Sequence, residues 1–313
     1  MIRKFFFAGL LSLSIGVAAA QSAANFPARS IRWIVGYTPG GTADMMARAV
    51  GAKFTETWGQ TVIVENRPGG ATNIATEMVA RSAPDGYTLL LSTVANVINP
   101  SLYSKMTFDF AKDFVHVTNM ASTPGIVTVH PSVPAKNIKE LVALAKARPG
   151  LLRHASTGIG SPHHLAGELF KHMTGVSMVH VPYKGATPAI TDTVAGHIEI
   201  YFGAMVSTIP HVKSGRLRAL AMTSAQRSSA AKDIPTLQEQ GLKDFETGSW
   251  FGLGVAAGTP RDIVMKLHGE TLRALAAPDI RNRMQPEGAE FIGNTPEQFA
   301  AYVRGEDRKS TRL

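Results

Sequence analysis

One unit repeats along the chain and limits its possible folds: a short apolar run, a glycine- or proline-bearing turn, then a stretch with helical spacing. Residues 31–37 are apolar and lead into Thr38-Pro39-Gly40-Gly41. Residues 42–57 then place Met45, Met46, Ala49, Val50 and Phe54 on one helical face. Residues 61–65 are strand-like, 71–82 helical, and Pro84-Asp85-Gly86 turns the chain into a third strand at 87–92. Strands alternating with helices on short connections predict a parallel sheet covered by helices.

The pattern then restarts. Residues 114–130 hold two apolar halves around Ser122-Thr123-Pro124-Gly125, as a strand pair or a crossover would. A helix is expected at 138–147, a strand at 151–156, a helix at 163–174 and a strand at 177–181. A helix at 188–195 and strands at 198–202, 218–223 and 250–256 follow, with helices to the end. Pro260 fits a first helical position, where its missing N–H costs nothing. Two such units joined by crossovers predict two lobes with a cleft between them. Ligands of open α/β sheets sit beyond the carboxyl ends of strands, so the loops there are the candidate sites.

The ends of the chain read differently. Arg3 and Lys4, thirteen apolar residues from 5 to 17, and Ala18-Ala19-Ala20 predict a secretory signal over residues 1–20, released before Gln21. The apolar run is too short for a permanent span. Residues 307–313, Asp-Arg-Lys-Ser-Thr-Arg-Leu, can be encoded by a common short-read sequencing adapter, so the natural frame is expected to stop near Glu306. The 313 residues carry a formal charge of +9. Removing Arg3 and Lys4 leaves +7, and removing Asp307, Arg308, Lys309 and Arg312 leaves +5. That mildly basic balance requires no nucleic-acid partner. The absence of cysteine excludes a disulfide scaffold, a thiolate nucleophile, a Cys-ligated zinc and a lipoprotein anchor.

Three loops carry candidate chemistry. In Tyr37-Thr38-Pro39-Gly40-Gly41-Thr42-Ala43-Asp44, two glycines allow a tight turn, Thr42 is placed to cap the helix, and the helix start offers N–H groups to an anion. Ser156-Thr157-Gly158-Ile159-Gly160-Ser161-Pro162-His163-His164 supplies three hydroxyls and two glycines within six residues, suited to a small polar ligand. It is neither a nucleophile elbow nor a phosphate loop. A secreted hydrolase using Ser156 or Ser161 with His163 or His164 is the competing enzymatic reading. His164 and Glu168 share a helical face, without a third metal ligand in view. The third loop, Val181-Pro182-Tyr183-Lys184-Gly185-Ala186-Thr187-Pro188, offers Lys184 to a carboxylate.

The ordered motifs Pro39-Gly40-Gly41-x-x-Asp44, Val64-Glu65-Asn66-Arg67-Pro68-Gly69-Gly70, Pro84-Asp85-Gly86-Tyr87 and Asn99-Pro100-Ser101-Leu102-Tyr103 resemble the Bug/TctC family. So do Val181-Pro182-Tyr183-Lys184-Gly185, Ser214-Gly215-Arg216-Leu217-Arg218 and Ile234-Pro235-Thr236-Leu237, over about residues 27 to 306. These are periplasmic solute-binding proteins of tripartite tricarboxylate transporters. The resemblance implies a type II-like, two-lobed Venus flytrap with an α/β fold. One lobe comprises 27–122 and 223–306, the other 123–222. It implies a non-enzymatic, monomeric periplasmic protein that holds an organic carboxylate (a dicarboxylate, tricarboxylate or aromatic acid), often through water bridges, for two membrane subunits. An orphan sensor would use the same closed state. No cofactor or metal is implied.

By position, the resemblance assigns the ligand to Tyr37, Thr38, Pro39, Gly40, Gly41 and Asp44, then Ser92, Thr93 and Asn96. It adds Ser156, Thr157, Gly158, Gly160, Ser161 and His164, then Tyr183, Lys184, Phe202 and Gly203. Many relatives carry Asp or Asn after the Phe202 position. Gly203-Ala204 there implies a larger pocket, open to an aromatic or bulkier acid.

Overall fold

Apolar runs too short for helices and too apolar for a solvent-facing sheet become buried parallel strands. In the computed structural model, which describes residues 23–310, Ile31–Val35 (β1) is flanked by Val62–Asn66 (β2) and Thr88–Thr93 (β3), both parallel to it. Thr42–Trp58 (α1) and Asn73–Ala80 (α2) connect them. The expected leader over residues 1–20 lies outside the described residues, as do 311–313, and the backbone of 307–310 continues the last helix.

A second unit repeats the arrangement. Arg153–Ser156 (β5) lies between Val179–Pro182 (β6) and Ile200–Ala204 (β7), parallel to both, with Pro162–Thr174 (α5) and Ala186–Val194 (α6) as crossovers. Each sheet has its own core, one around Trp33, Phe54 and Leu253, the other around Phe170, Phe202 and Phe245.

Of the two expectations for residues 114–130, the structure shows the crossover and not the strand pair. Phe114–Val129 (β4) is one sixteen-residue strand running through both sheets. Its first part, through Pro124, pairs antiparallel with Gly248–Ala256 (β9) of the first lobe. From Gly125 onward it pairs with β7 and with Arg218–Met222 (β8) of the second. Pro124 is tolerated where one set of partners gives way to the other.

The return crossing lies later than expected. Leu237 and Phe245 are buried in the second core, and the Thr247 N–H donates to the Thr223 carbonyl at 2.9 Å before β9 begins. Residues 223–247 therefore pack with the second lobe, and the boundary expected at 222/223 moves to about 247.

Three helices had no clear sequence signal or lie differently from expectation. Val94–Leu102 (α3) starts directly from β3, and Met205–Lys213 (α7) directly from β7, with no turn residues to announce them. Both contain a proline, Pro100 and Pro210, that argues against a helix interior. Arg261–Ala276 (α8) begins one residue after Pro260, whose ψ of 137° makes it the N-cap and not the first helical residue. Ile138–Ala147 (α4) falls at its expected bounds. Pro278–Met284 (α9), Glu290–Phe291 (β10, paired with β4) and Pro296–Ser310 (α10) complete the first lobe. Among the described residues, no helix is long and apolar enough to cross a membrane.

Candidate functional site

The strand–loop–helix units direct five helix N-termini at one place between the lobes. Thr42 and Ala43 begin α1, Thr93 caps α3, and Pro162 and His163 begin α5. Ala186 begins α6 and Ser207 lies in the first turn of α7. With Tyr37, Gly41, Thr157, Ala204, Ser249 and Phe251, these residues line a single cleft. No lysine, arginine, aspartate or glutamate is among them. Exposed helix-end N–H groups and the positive ends of helix dipoles give such a place an affinity for anions.

Hydroxyls supply the rest. Tyr37 Oη lies 3.1 Å from Thr93 Oγ1, and burial pushes the Tyr37 phenol up to about 12. Thr157 Oγ1 lies 2.9 Å from His163 Nδ1, and Ser249 Oγ lies 3.4 Å from His163 Nε2. Burial holds the His163 ring down at about 4, so it is neutral near pH 7. Thr42 does not cap α1 as expected, because Gly41 is the N-cap and Thr42 is already helical. Its buried Oγ1 lines the cleft with no hydrogen-bond partner in the protein. A buried hydroxyl left this way is costly unless a ligand or water completes it.

The lobes touch on both sides of the cleft. The Thr38 N–H donates to the Lys184 carbonyl at 3.2 Å, and the Thr187 hydroxyl donates to the Pro39 carbonyl at 2.6 Å. On the other side, a Cβ at Gly160 would sit 3.1 Å from Asn99 Oδ1 and 3.0 Å from Leu102. This is a closed arrangement.

Of the residues assigned by position, Tyr37, Gly41, Thr93 and Thr157 line the cleft, whereas others hold its walls. Thr38, Pro39 and Gly40 make the contact between lobes through their backbone and, at Gly40, through packing on Thr187. Asp44 points into the loop, accepting from the Gly40 N–H, Arg48 Nε and Asn66 Nδ2 at 2.9–3.0 Å. Burial opposes its ionisation, but these donors prevail and hold its carboxyl below the usual range. Asn96 closes a capping box with Thr93 and donates to Thr76 at 2.7 Å, and Ser92 is fully buried beside Gly252. Lys184 contributes its carbonyl while its side chain stays exposed, and Tyr183 donates to Asp192 at 2.6 Å.

Several expectations are overturned by geometry. Ser156 is bonded to His180 Nε2 at 2.7 Å and Ser161 caps α5 by accepting from the His164 N–H, so neither forms the serine–histidine pair of the hydrolase reading. His164 turns out of the cleft. It accepts from the Gly160 N–H and stacks on His180 at 4.2 Å, while Glu168 binds Lys171 at 2.7 Å. Gly158 and Gly160 shape the loop with positive φ. Phe202 lies in the second core against Phe170. Gly203 enlarges nothing, because a Cβ there would lie 2.1 Å from the Tyr201 ring, which already fills that space.

His163, which the sequence raises only in the hydrolase reading, is absent from the ligand assignment yet lines the cleft. Its spacing with Ala166, Gly167 and Phe170 is the buried stripe of α5, a signal that places it inward and His164, one residue on, to the side. Ser207, Ser249 and Phe251 were also missed, since α7 was not foreseen and β9 carries no loop motif.

Comparison of whole chains finds the same two-lobed fold among solute-binding proteins. The profile of the TctC family, described as "Tripartite tricarboxylate transporter family receptor", matches residues 46–313. The chain belongs to this family. Its members are non-enzymatic solute-binding proteins of the same two-lobed α/β fold. Protein BugT of Bordetella pertussis is 34% identical over 308 residues, covering 98% of this chain and 94% of BugT. The structure of Rpa4515 of R. palustris with adipate is 34% identical with a TM-score of 0.88, over 91% of this chain and 95% of that one. MatC of Rhodopseudomonas palustris with bound malate is 29% identical with a TM-score of 0.86, over 92% and 99%.

Proposed function

We propose that this TctC-family chain is an exported receptor that captures a small organic carboxylate between its lobes and presents it, in the closed form, to the membrane subunits of a tripartite tricarboxylate transporter. The observation that carries the reading is the cleft wall: five helix N-termini and a set of hydroxyls, including the unpartnered Thr42 Oγ1, with no acidic side chain among them. Such a wall stabilises negative charge through fixed dipoles and hydrogen bonds. The relatives solved with adipate and with malate hold carboxylic acids of this kind. Capture follows the differential contacts of the closed state, in which the ligand and the contacts between lobes favour the same form. The leader over residues 1–20 directs the chain to the periplasm.

A thermal-unfolding screen of the mature protein against short dicarboxylates, tricarboxylates and aromatic acids tests this. A specific acid at about one hundred times its Kd adds about 2.7 kcal/mol to the stability of the native state. One bound acid per chain, with no product formed, supports the reading. A cooperatively melting protein that responds to no organic acid contradicts it.

A further inference from the structure

The cleft wall carries one imidazole, His163, and it is not the histidine that the family motifs single out. We propose that His163 makes capture proton-coupled: the cleft takes up the carboxylate together with one proton from solvent, which comes to rest on the His163 imidazole. This rests on the carboxylate reading above.

The geometry gives the reason. Both ring nitrogens face hydroxyls that line the cleft, Nδ1 facing Thr157 and Nε2 facing Ser249. A neutral imidazole has one N–H and one lone pair. The nitrogen without a proton binds its hydroxyl by accepting that hydroxyl's only proton, which is then turned away from a ligand. When both nitrogens are protonated, both donate. Thr157 and Ser249 then accept from the ring, and each is free to aim its O–H at the acid. Protonation thus converts a partly self-satisfied pair of hydroxyls into two donors for a carboxylate, and it places the one side-chain cation available at the wall.

Nothing else in the surroundings competes for this role. Tyr37 is the other ionisable group on the cleft wall, and its phenol stays neutral throughout the relevant range. Asp44 and Arg48 on α1 face each other and Asn66. On α5, His164, Glu168 and Lys171 face His154 and His180 on β5 and β6. The elements α3, α6, α7, β7 and β9 contribute hydroxyl and apolar side chains to the wall. Burial by the protein alone keeps the ring neutral down to about 4. A carboxylate about 4 Å away, at an effective dielectric of about 20, favours the charged ring by roughly a thousandfold. That brings its titration close to neutrality once the acid is bound.

Calorimetric titration with adipate, malate and benzoate, each in two buffers of different ionisation enthalpy, measures both affinity and protons taken up. Affinity should tighten by up to about tenfold per pH unit between about pH 8 and about pH 6, with uptake approaching one proton per acid at the lower end. His163→Gln should remove both the uptake and the pH dependence. A second readout needs no variant: adding the acid near pH 6 should move the His163 ring resonances of the wild-type protein to imidazolium positions. Affinity that is flat across this range, with no proton uptake and an unshifted ring, overturns the proposal. A folded protein that binds neither these three acids nor any acid of the wider screen at any pH overturns the carboxylate reading, and this inference with it.

Discussion

Closure of the two lobes depends on a backbone contact that tolerates no side chain at Gly185. A Cβ built there lies 2.1 Å from Thr38 Oγ1 and 2.9 Å from the Thr38 backbone nitrogen, across the gap between lobes. The hydroxyl could rotate away, but the backbone nitrogen could not. Gly185→Ala should therefore hold the loops around residues 38 and 185 apart. Two bonds are lost with that separation, Thr38 N–H to the Lys184 carbonyl and Thr187 Oγ1 to the Pro39 carbonyl. At a net 0.5–1.5 kcal/mol each, they contribute about 1–3 kcal/mol to the closed state. Because an acid binds tightly only in the closed state, its Kd should rise by about 5- to 150-fold. Gly185 is buried at the contact between lobes with a φ of 158°, which an alanine adopts only with strain, so the variant should also unfold more easily, and its affinity is read at a temperature where it remains folded. Calorimetric titration reads the affinity, and small-angle scattering with saturating acid reads the residual opening. A variant that binds as tightly as the wild type and compacts to the same radius would refute the argument.

Gly203→Ala should destabilise the fold by about 1–3 kcal/mol through overpacking against the Tyr201 ring, measured by urea unfolding, and should not alter the range of acids bound. Phe299 of α10 is fully buried against Trp250, His116 and Gly252, so Phe299→Ala should cost about 3–5 kcal/mol in the same assay. The Arg32 fork at 2.6 and 3.0 Å, helped by Arg67, holds the Glu65 carboxyl down to about 2. Folding lowers this pKa, so the bonds stabilise above the unfolded value of about 4.3 and their contribution disappears as pH falls toward about 2. Glu65→Gln should flatten that part of the acid limb in unfolding measurements made pH by pH. An unchanged slope would show that the pair, on a partly exposed sheet edge, contributes nothing measurable.

The sequence made the architecture legible wherever the chain announced its turns. Pro39-Gly40-Gly41, Ser161-Pro162 and Pro149-Gly150 separate strands from helices, and the elements between them, such as α1, α4 and α5, lie where the periodicity places them. Elements that follow one another without a turn were illegible. α3 and α7 grow directly out of β3 and β7, each with an internal proline, and β4 passes through both sheets with only Pro124-Gly125 to mark the change of partners. The second crossing was misplaced because the polar segment before β9 conceals Leu237 and Phe245, which bury in the second core.

The site divides in the same way. Loop motifs identified the three segments that surround the cleft, yet not which atoms enter it. Asp44, Asn96 and Ser156 are polar residues in the right loops whose side chains are held by neighbours, by Arg48, Thr76 and His180. Rotation about one helix decides between His163 and His164, and only the buried stripe of α5 carries that information. Ser249 and Phe251 come from a strand far along the chain, joined to the site by the pairing of β9 with β3 and β4.

A crystal structure of the mature protein with a tightly bound organic acid from the screen tests carboxylate capture at the helix N-termini. The acid should lie in the closed form, with carboxylate oxygens within hydrogen-bonding distance of Thr42 Oγ1, directly or through one water, and facing the starts of α1 and α5. An acid bound elsewhere on the chain, or in the cleft with its carboxylate turned away from the helix N-termini, would contradict it.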